Sequence, residues 1–183
     1  MDRYYSQTIG VPVHTTSGGH AGRVVEIVID PENGKIAGFL LTPGGQYVIA
    51  PSDVVFWDEH LFIHDEDDIL ETDEILKVQE ILKKNIPIFG NKVFTKSGKY
   101  MGKVYDIGIH PKFFTLTKLA VAKNVLGLFP YEEKLIVFSD IVEMTHDRIT
   151  IKDNDGKIAI KEKSKDKDKL RIDIVAPSTF REV

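Results

Sequence analysis

An internal repeat constrains this chain more than any other feature. Ile9–Pro31 aligns without a gap on Phe89–Pro111, 80 residues further on, and ten of the 23 pairs are identical. They are Gly10/Gly90, Val13/Val93, Thr15/Thr95, Ser17/Ser97, Gly18/Gly98, Gly22/Gly102, Val24/Val104, Ile27/Ile107, Ile29/Ile109 and Pro31/Pro111. Arg23/Lys103 and Glu26/Asp106 keep their charge. After a seven-residue insertion the match resumes at Ser52/Ser139, Asp53/Asp140, Val54/Ile141 and Val55/Val142. Glycines and apolar residues at matched offsets identify a duplication, so both copies must fold alike.

Each copy reads as β. Short runs of β-branched and aromatic residues alternate with turn formers: Val11–Thr15, Arg23–Asp30, Lys35–Thr42, Gln46–Ala50, Val54–Trp57 and His60–His64. The apolar positions Val24, Ile27 and Ile29 break strict alternation, which predicts a bulge between 24 and 27. Pro31-Glu32-Asn33-Gly34 predicts a tight turn, because Asn-Gly tolerates positive φ. Five or six short strands per copy predict a small closed β-barrel, an arrangement that leaves few unpaired edges.

Between the copies lies one amphipathic segment. Ile75, Val78, Gln79 and Leu82 share a helical face that Leu76 and Ile81 widen. Thr72 is the expected N-cap, and Lys83-Lys84-Asn85 suits the C-terminal end. Such a helix has to pack on a barrel or between two. After the second copy, Ile149–Asp153 and Lys157–Ile160 flank Asp153-Asn154-Asp155-Gly156 and predict a terminal hairpin. The mixed-charge run Lys161–Lys169 opens a solvated tail. The expected organisation is therefore mainly β. It comprises a first barrel over 1–69, a linker helix over 70–86, a second barrel with a terminal hairpin over 87–160, and a tail over 161–183.

Composition removes most chemistry. The chain has 183 residues and no cysteine, which excludes thiolate nucleophiles, disulfides, iron–sulfur clusters and Cys-based zinc sites. The net charge of -4 argues against direct nucleic-acid binding. No uncharged apolar run is long enough to span a bilayer, and Met1–Gln7 has no apolar signal core, so a cytoplasmic location is expected.

The repeated pattern V-x-T-x-S-G-x-x-x-G-x-V-x-[DE]-I-x-I, followed by a turn, an apolar strand and an S-D-[IV]-V strand, resembles the PRC-barrel family. This is the domain of the photosynthetic reaction-centre H subunit and of the C-terminal part of the ribosome maturation factor RimM. Ser17, Gly18, Gly22, Val24, Glu26, Ile27 and Ile29 fall on the pattern in the first copy. Ser97, Gly98, Gly102, Val104, Asp106, Ile107 and Ile109 do so in the second. These positions build turns and a core strand, so the resemblance speaks to fold before function. It implies two tandem adaptor barrels without a catalytic centre or cofactor. Their expected partner is a protein or ribonucleoprotein, in RNA processing or ribosome assembly. The chain is expected as a monomer with docked barrels or as a homodimer. The alternative is a small-molecule or metal-ion sensor that uses the cleft between the barrels.

Individual residues add little catalytic chemistry. There is no nucleophile elbow, phosphate loop or dinucleotide fingerprint. His60 and His64 would lie about 13 Å apart along a strand, too far to share an ion. Asp153-Asn154-Asp155-Gly156 mimics part of a calcium loop, but Ile151 occupies the first ligand position. Glu26 and Asp106 are matched acids in separate copies and make no acid–base pair. The candidate partner-binding residues are apolar side chains in or near the insertion: Phe113, Phe114, Leu126, Leu128, Phe129 and Tyr131, together with Trp57. An apolar loop either tucks into a core or marks a contact surface.

Overall fold

The structure, a computed structural model, describes residues 1–125, 129–153 and 159–160, with side chains through 123 and from 133 to 153. The first half carries β1 (Arg3–Tyr4), α1 (Tyr5–Thr8), β2 (Pro12–Thr15), β3 (His20–Arg23) and β4 (Glu26–Ile29). It continues with β5 (Ile36–Leu40), β6 (Tyr47–Ile49), β7 (Val54–Trp57), β8 (Leu61–Ile63), β9 (Ile69–Glu71) and α2 (Leu76–Lys84). The second half carries β10 (Lys92–Thr95), β11 (Tyr100–His110), β12 (Thr115–Val125) and β13 (Phe129–Val137). It ends with β14 (Ile141–Met144), β15 (Arg148–Ile151) and β16 (Ala159–Ile160).

Matched strands pair in matched registers. β2 lies parallel to β8 with Val13 opposite Leu61, and β10 lies parallel to β15 with Val93 opposite Ile149. Glu26 sits opposite Leu40 on β4 and β5, as Asp106 sits opposite Ala120 on β11 and β12. The expected bulge is present in the second half, whereas in the first the strand breaks at Val24–Val25. In β11 the register shifts between Val104 and Asp106. In the first half the Val24 amide donates to Val11, whereas the Val25 amide donates to Leu40. The chain thus changes sheet partner between two adjacent residues.

The sheets are not closed barrels. That change of partner divides the first half into two four-stranded sheets, β3-β2-β8-β7 and β4-β5-β6-β9. β11 runs unbroken, so the second half forms one open sheet in the order β14-β15-β10-β11-β12-β13-β16. The expected terminal hairpin also differs. Ala159–Ile160 pairs with β13, at the far end of the sheet from β15. The turn at 154–158 and the tail at 161–183 lie outside the described residues.

One hydrophobic cluster takes residues from both halves. Val13, Val24, Phe39, Trp57, Leu61 and Ile63 share it with Val93, Ile107, Ile109, Leu119, Ile136 and Ile149. The halves are also stitched through the Asn33-Gly34 turn. The Leu116 amide donates to the Gly34 carbonyl at 2.7 Å, and the Ile36 amide donates to the Phe114 carbonyl at 2.8 Å. The Phe138 ring lies where a Cβ on Gly34 would be. The first residues of the chain reach across as well. β1 pairs with β11, and the Asp2 carboxylate meets Lys118 Nζ at 3.0 Å and accepts from Thr117 at 2.9 Å. Each half therefore covers apolar surface that the other would expose to water.

Helix α2 covers the other face of the β4-β5-β6-β9 sheet. Val78 and Ile81 pack on Val28, Leu40 and Val48. Leu76 and Leu82, part of the expected apolar stripe, stay exposed. Thr72 does not cap the helix. It opens a short 3-10 turn, and its hydroxyl donates to the carbonyls of Gly45 and Gln46. Lys77 fastens the helix to the Asn-Gly turn through Asp30, whose side chain is 3% exposed, at 2.8 Å.

Candidate functional site

Alternation along the strands places an aromatic row on the outer face of β3-β2-β8-β7. Val13 and Thr15 point into the core, so His14 points out, and Leu61 and Ile63 point in, so Phe62 points out. His14 lies opposite both His20 and Phe62, and Phe62 lies opposite Phe56. The row His20–His14–Phe62–Phe56 thus crosses all four strands. Its ring centroids are 5.5 Å apart for His14–His20, 5.8 Å for His14–Phe62 and 4.2 Å for the stacked Phe56–Phe62 pair. His60 joins it, 4.9 Å from His14. Phe56 is 50% exposed and its neighbour Val55 42%. The matched row in the second half, Tyr100–Phe94–Thr150–Glu143, is aromatic only at its first two positions. Among the described residues, no group of three or more His, Asp or Glu side chains is placed to hold a metal ion.

The residues singled out from sequence divide into three sets. Trp57 and Phe114 meet in the interior: their rings stack at 6.3 Å and 6°, and both lie edge-on to Phe39. Trp57 is 7% exposed, and its buried indole N–H has no hydrogen-bond partner among the described residues. Phe114, on the second half, inserts its ring against two aromatic residues of the first. Its neighbour Phe113 faces outward, 65% exposed, beside His110 at 4.5 Å and under the Lys112 ammonium at 5.9 Å. Leu126 and Leu128 lie outside the described residues. Phe129 and Tyr131 fall on β13, near the tip of a long hairpin where Phe129 pairs with Val125, and their side chains lie outside the description.

Sequence reasoning treated the histidines as isolated surface residues and passed over Phe56 and Phe62. The row depends on the parallel pairing of β2 with β8, whose residues are about fifty positions apart. One signal was available: His14 and His20 align with Phe94 and Tyr100, so both copies place flat rings at these positions.

The matched acids differ in what they hold. Asp106 accepts from the Ser6 hydroxyl at 2.6 Å, from the Ser6 backbone N–H at 3.2 Å and from the Ile107 backbone N–H at 2.9 Å. Glu26 is exposed and lines a cleft of about 300 Å³ between β4, the end of α2 and residues 85–89. Ile27, Ile29, Ile81, Ile88 and Phe89 supply its apolar lining beside the polar Glu26 and Asn85, and Tyr5, 4.3 Å from Phe89, closes one side. Burial first, and then the Glu26 charge, push the Tyr5 hydroxyl above its ordinary pKa, against a hydrogen bond with the Ile27 backbone.

The PRC-barrel domain model matches residues 1–79, which span the first repeat and the start of α2. No curated protein matches the chain significantly. No described helix is long and apolar enough to cross a membrane.

Proposed function

We propose that this protein is a non-enzymatic interaction module whose partner, a protein or the protein component of a ribonucleoprotein, docks on the aromatic row of β3-β2-β8-β7. The observation that carries this reading is the run of rings at Phe56, Phe62, His14 and His20 on one sheet face. Aromatic residues with polar edges are enriched in protein interfaces, and a contiguous exposed patch of them marks a contact surface. The PRC-barrel match over residues 1–79 covers this sheet and is compatible with an adaptor role. The second repeat is read as a further PRC-type copy, supported by its matched parallel pairing and β11–β12 register. It braces the first copy through Phe114, and among the described residues Phe56 at the edge of the aromatic face stays half-exposed. The insertion at the β12–β13 tip is a second potential contact in the same scheme.

The test is differential capture at low and moderate salt. Wild-type protein is compared with a Phe56→Ser/Phe62→Ser double variant and with Phe113→Ser, which lies on the other half. A partner lost with the double variant and retained with Phe113→Ser supports the proposal. Identical capture by all three proteins, with folding verified by circular dichroism, removes it.

A further inference from the structure

The duplication presents one site twice, once filled and once open, and the filled copy shows what the open copy can recognise. In the second half Asp106 is filled by the chain itself. Ser6 gives it two donors at once, the hydroxyl at 2.6 Å and the backbone N–H at 3.2 Å. In the first half the matched acid is Glu26, equivalent both in sequence and in its register opposite the next strand. The segment matched to Tyr5–Thr8 is Asn85–Ile88. There the position of Ser6 is Ile86, which has no hydroxyl and so lacks the side-chain donor that Ser6 gives Asp106. Among the described residues the Glu26 carboxylate forms neither a hydrogen bond nor an ion pair. The space beside it is the cleft of about 300 Å³, whose lining joins apolar side chains to Glu26, Asn85 and Tyr5.

We infer that this cleft binds a small organic cation, an amine or amidine on an apolar body, with Glu26 as its charge partner. The carboxylate replaces its water with two N–H donors from the ligand, where Asp106 takes the O–H and the N–H of Ser6. Charge-assisted pairs of this kind are stronger than neutral hydrogen bonds, and two parallel donors add orientation. Ile29, Ile81, Ile88 and Phe89 receive the hydrocarbon part, and the Tyr5 ring closes over it. The volume lies at the lower end of the ~300–1,000 Å³ range of small-molecule sites, which selects single-ring ligands. An anion is rejected, because the ionisable groups lining the cleft are Glu26 and Tyr5. The site is separate from the aromatic row, so it stands or falls independently of the proposed docking surface.

The experiment is an NMR titration of the full chain with benzamidine and benzylamine, with benzoate as the anionic control of the same shape. The expected result is saturable binding of at least one cation, with amide shifts confined to 26–29, 81–82 and 85–89, and no binding of benzoate. Glu26→Gln, an exposed and near-isosteric change, is expected to weaken binding ~10-fold or more, the loss of a charge-assisted contact. Asp106→Asn is expected to leave it within about twofold, as a distant independent site should. The Phe56→Ser/Phe62→Ser variant should bind the cation as wild type does, even if it loses its protein partner. The inference is overturned if neither cation saturates, if benzoate binds equally well, or if Glu26→Gln binds as tightly as wild type.

Discussion

Phe114 is the side chain on which the union of the two repeats can be tested most directly. It belongs to the second half, yet its ring lies 6.0 Å from Phe39 and 6.3 Å from Trp57 in the first. It also sits at φ 50°, in the left-handed region. A buried Phe→Ala change costs ~3–5 kcal/mol, and Phe114 is half-buried, so about 2–3 kcal/mol is expected for Phe114→Ala. Phe114→Gly removes the same ring and also relieves the left-handed backbone, worth ~1–2 kcal/mol per residue. Glycine should therefore be the milder substitution by roughly 1 kcal/mol, the reverse of its usual rank against alanine. The assay is urea unfolding followed in parallel by far-ultraviolet circular dichroism and by fluorescence. Trp57 is the single tryptophan of the chain, so its emission reports on the environment that Phe114 completes. Wild type should show coincident transitions, because one hydrophobic cluster spans both halves. Both variants should shift Trp57 emission in the native state. The reasoning is refuted if Phe114→Ala costs less than about 0.5 kcal/mol, if native Trp57 emission is unchanged, or if alanine is tolerated better than glycine.

Two further perturbations test other parts of the structure. Gly22 and Gly102 are matched residues at φ +126° and +130°. A Cβ on Gly22 meets nothing nearer than Leu41 at 3.8 Å, whereas one on Gly102 falls 2.4 Å from the Ala122 carbonyl oxygen. Gly22→Ala should cost roughly 1 kcal/mol of backbone strain, and Gly102→Ala about 1–3 kcal/mol more, as read from denaturation midpoints. Asp30 is buried. Burial acts to raise its pKa but is outweighed by Lys77 and by donors from Glu32 and Asn33, which together hold the carboxyl below its ordinary value. A lowered folded-state pKa stabilises above the unfolded value, and that stabilisation is lost as pH falls through the folded value. Asp30→Asn should therefore destabilise by about 1–2 kcal/mol near neutrality, with Lys77 half-exposed and screened, and the gap to wild type should close below about pH 4. A gap that is unchanged at low pH in urea melts would contradict the role given to the charge.

How much was readable in advance depends on the distance between the residues involved. The irregularity near residue 25, the Asn33-Gly34 turn and the strand framework were legible, because each rests on residue types within a few positions. The linker helix was legible as an element, but its contacts were not. α2 covers Val28, Leu40 and Val48, whereas among the described residues no helix covers the matched Gly108, Ala120 and Leu135 in the second half. The role of the first eight residues left no pattern of its own. Their partners, Asp106, Gly108 and Lys118, are about a hundred positions away. The aromatic row had the same difficulty, since His14 and Phe62 become neighbours only through a parallel pairing.

The sequence by itself determined the duplication, the mainly β class, the family resemblance of the first copy and the absence of thiol chemistry. Tertiary structure decided which of two matched motifs does what. It set Phe114 inward and Phe113 outward, crowded Gly102 and left Gly22 open, and filled Asp106 while leaving Glu26 beside an open cleft. The physical reason is that local periodicity fixes only which side chains alternate across a strand. What each face meets is set by burial against chain segments that the other repeat supplies.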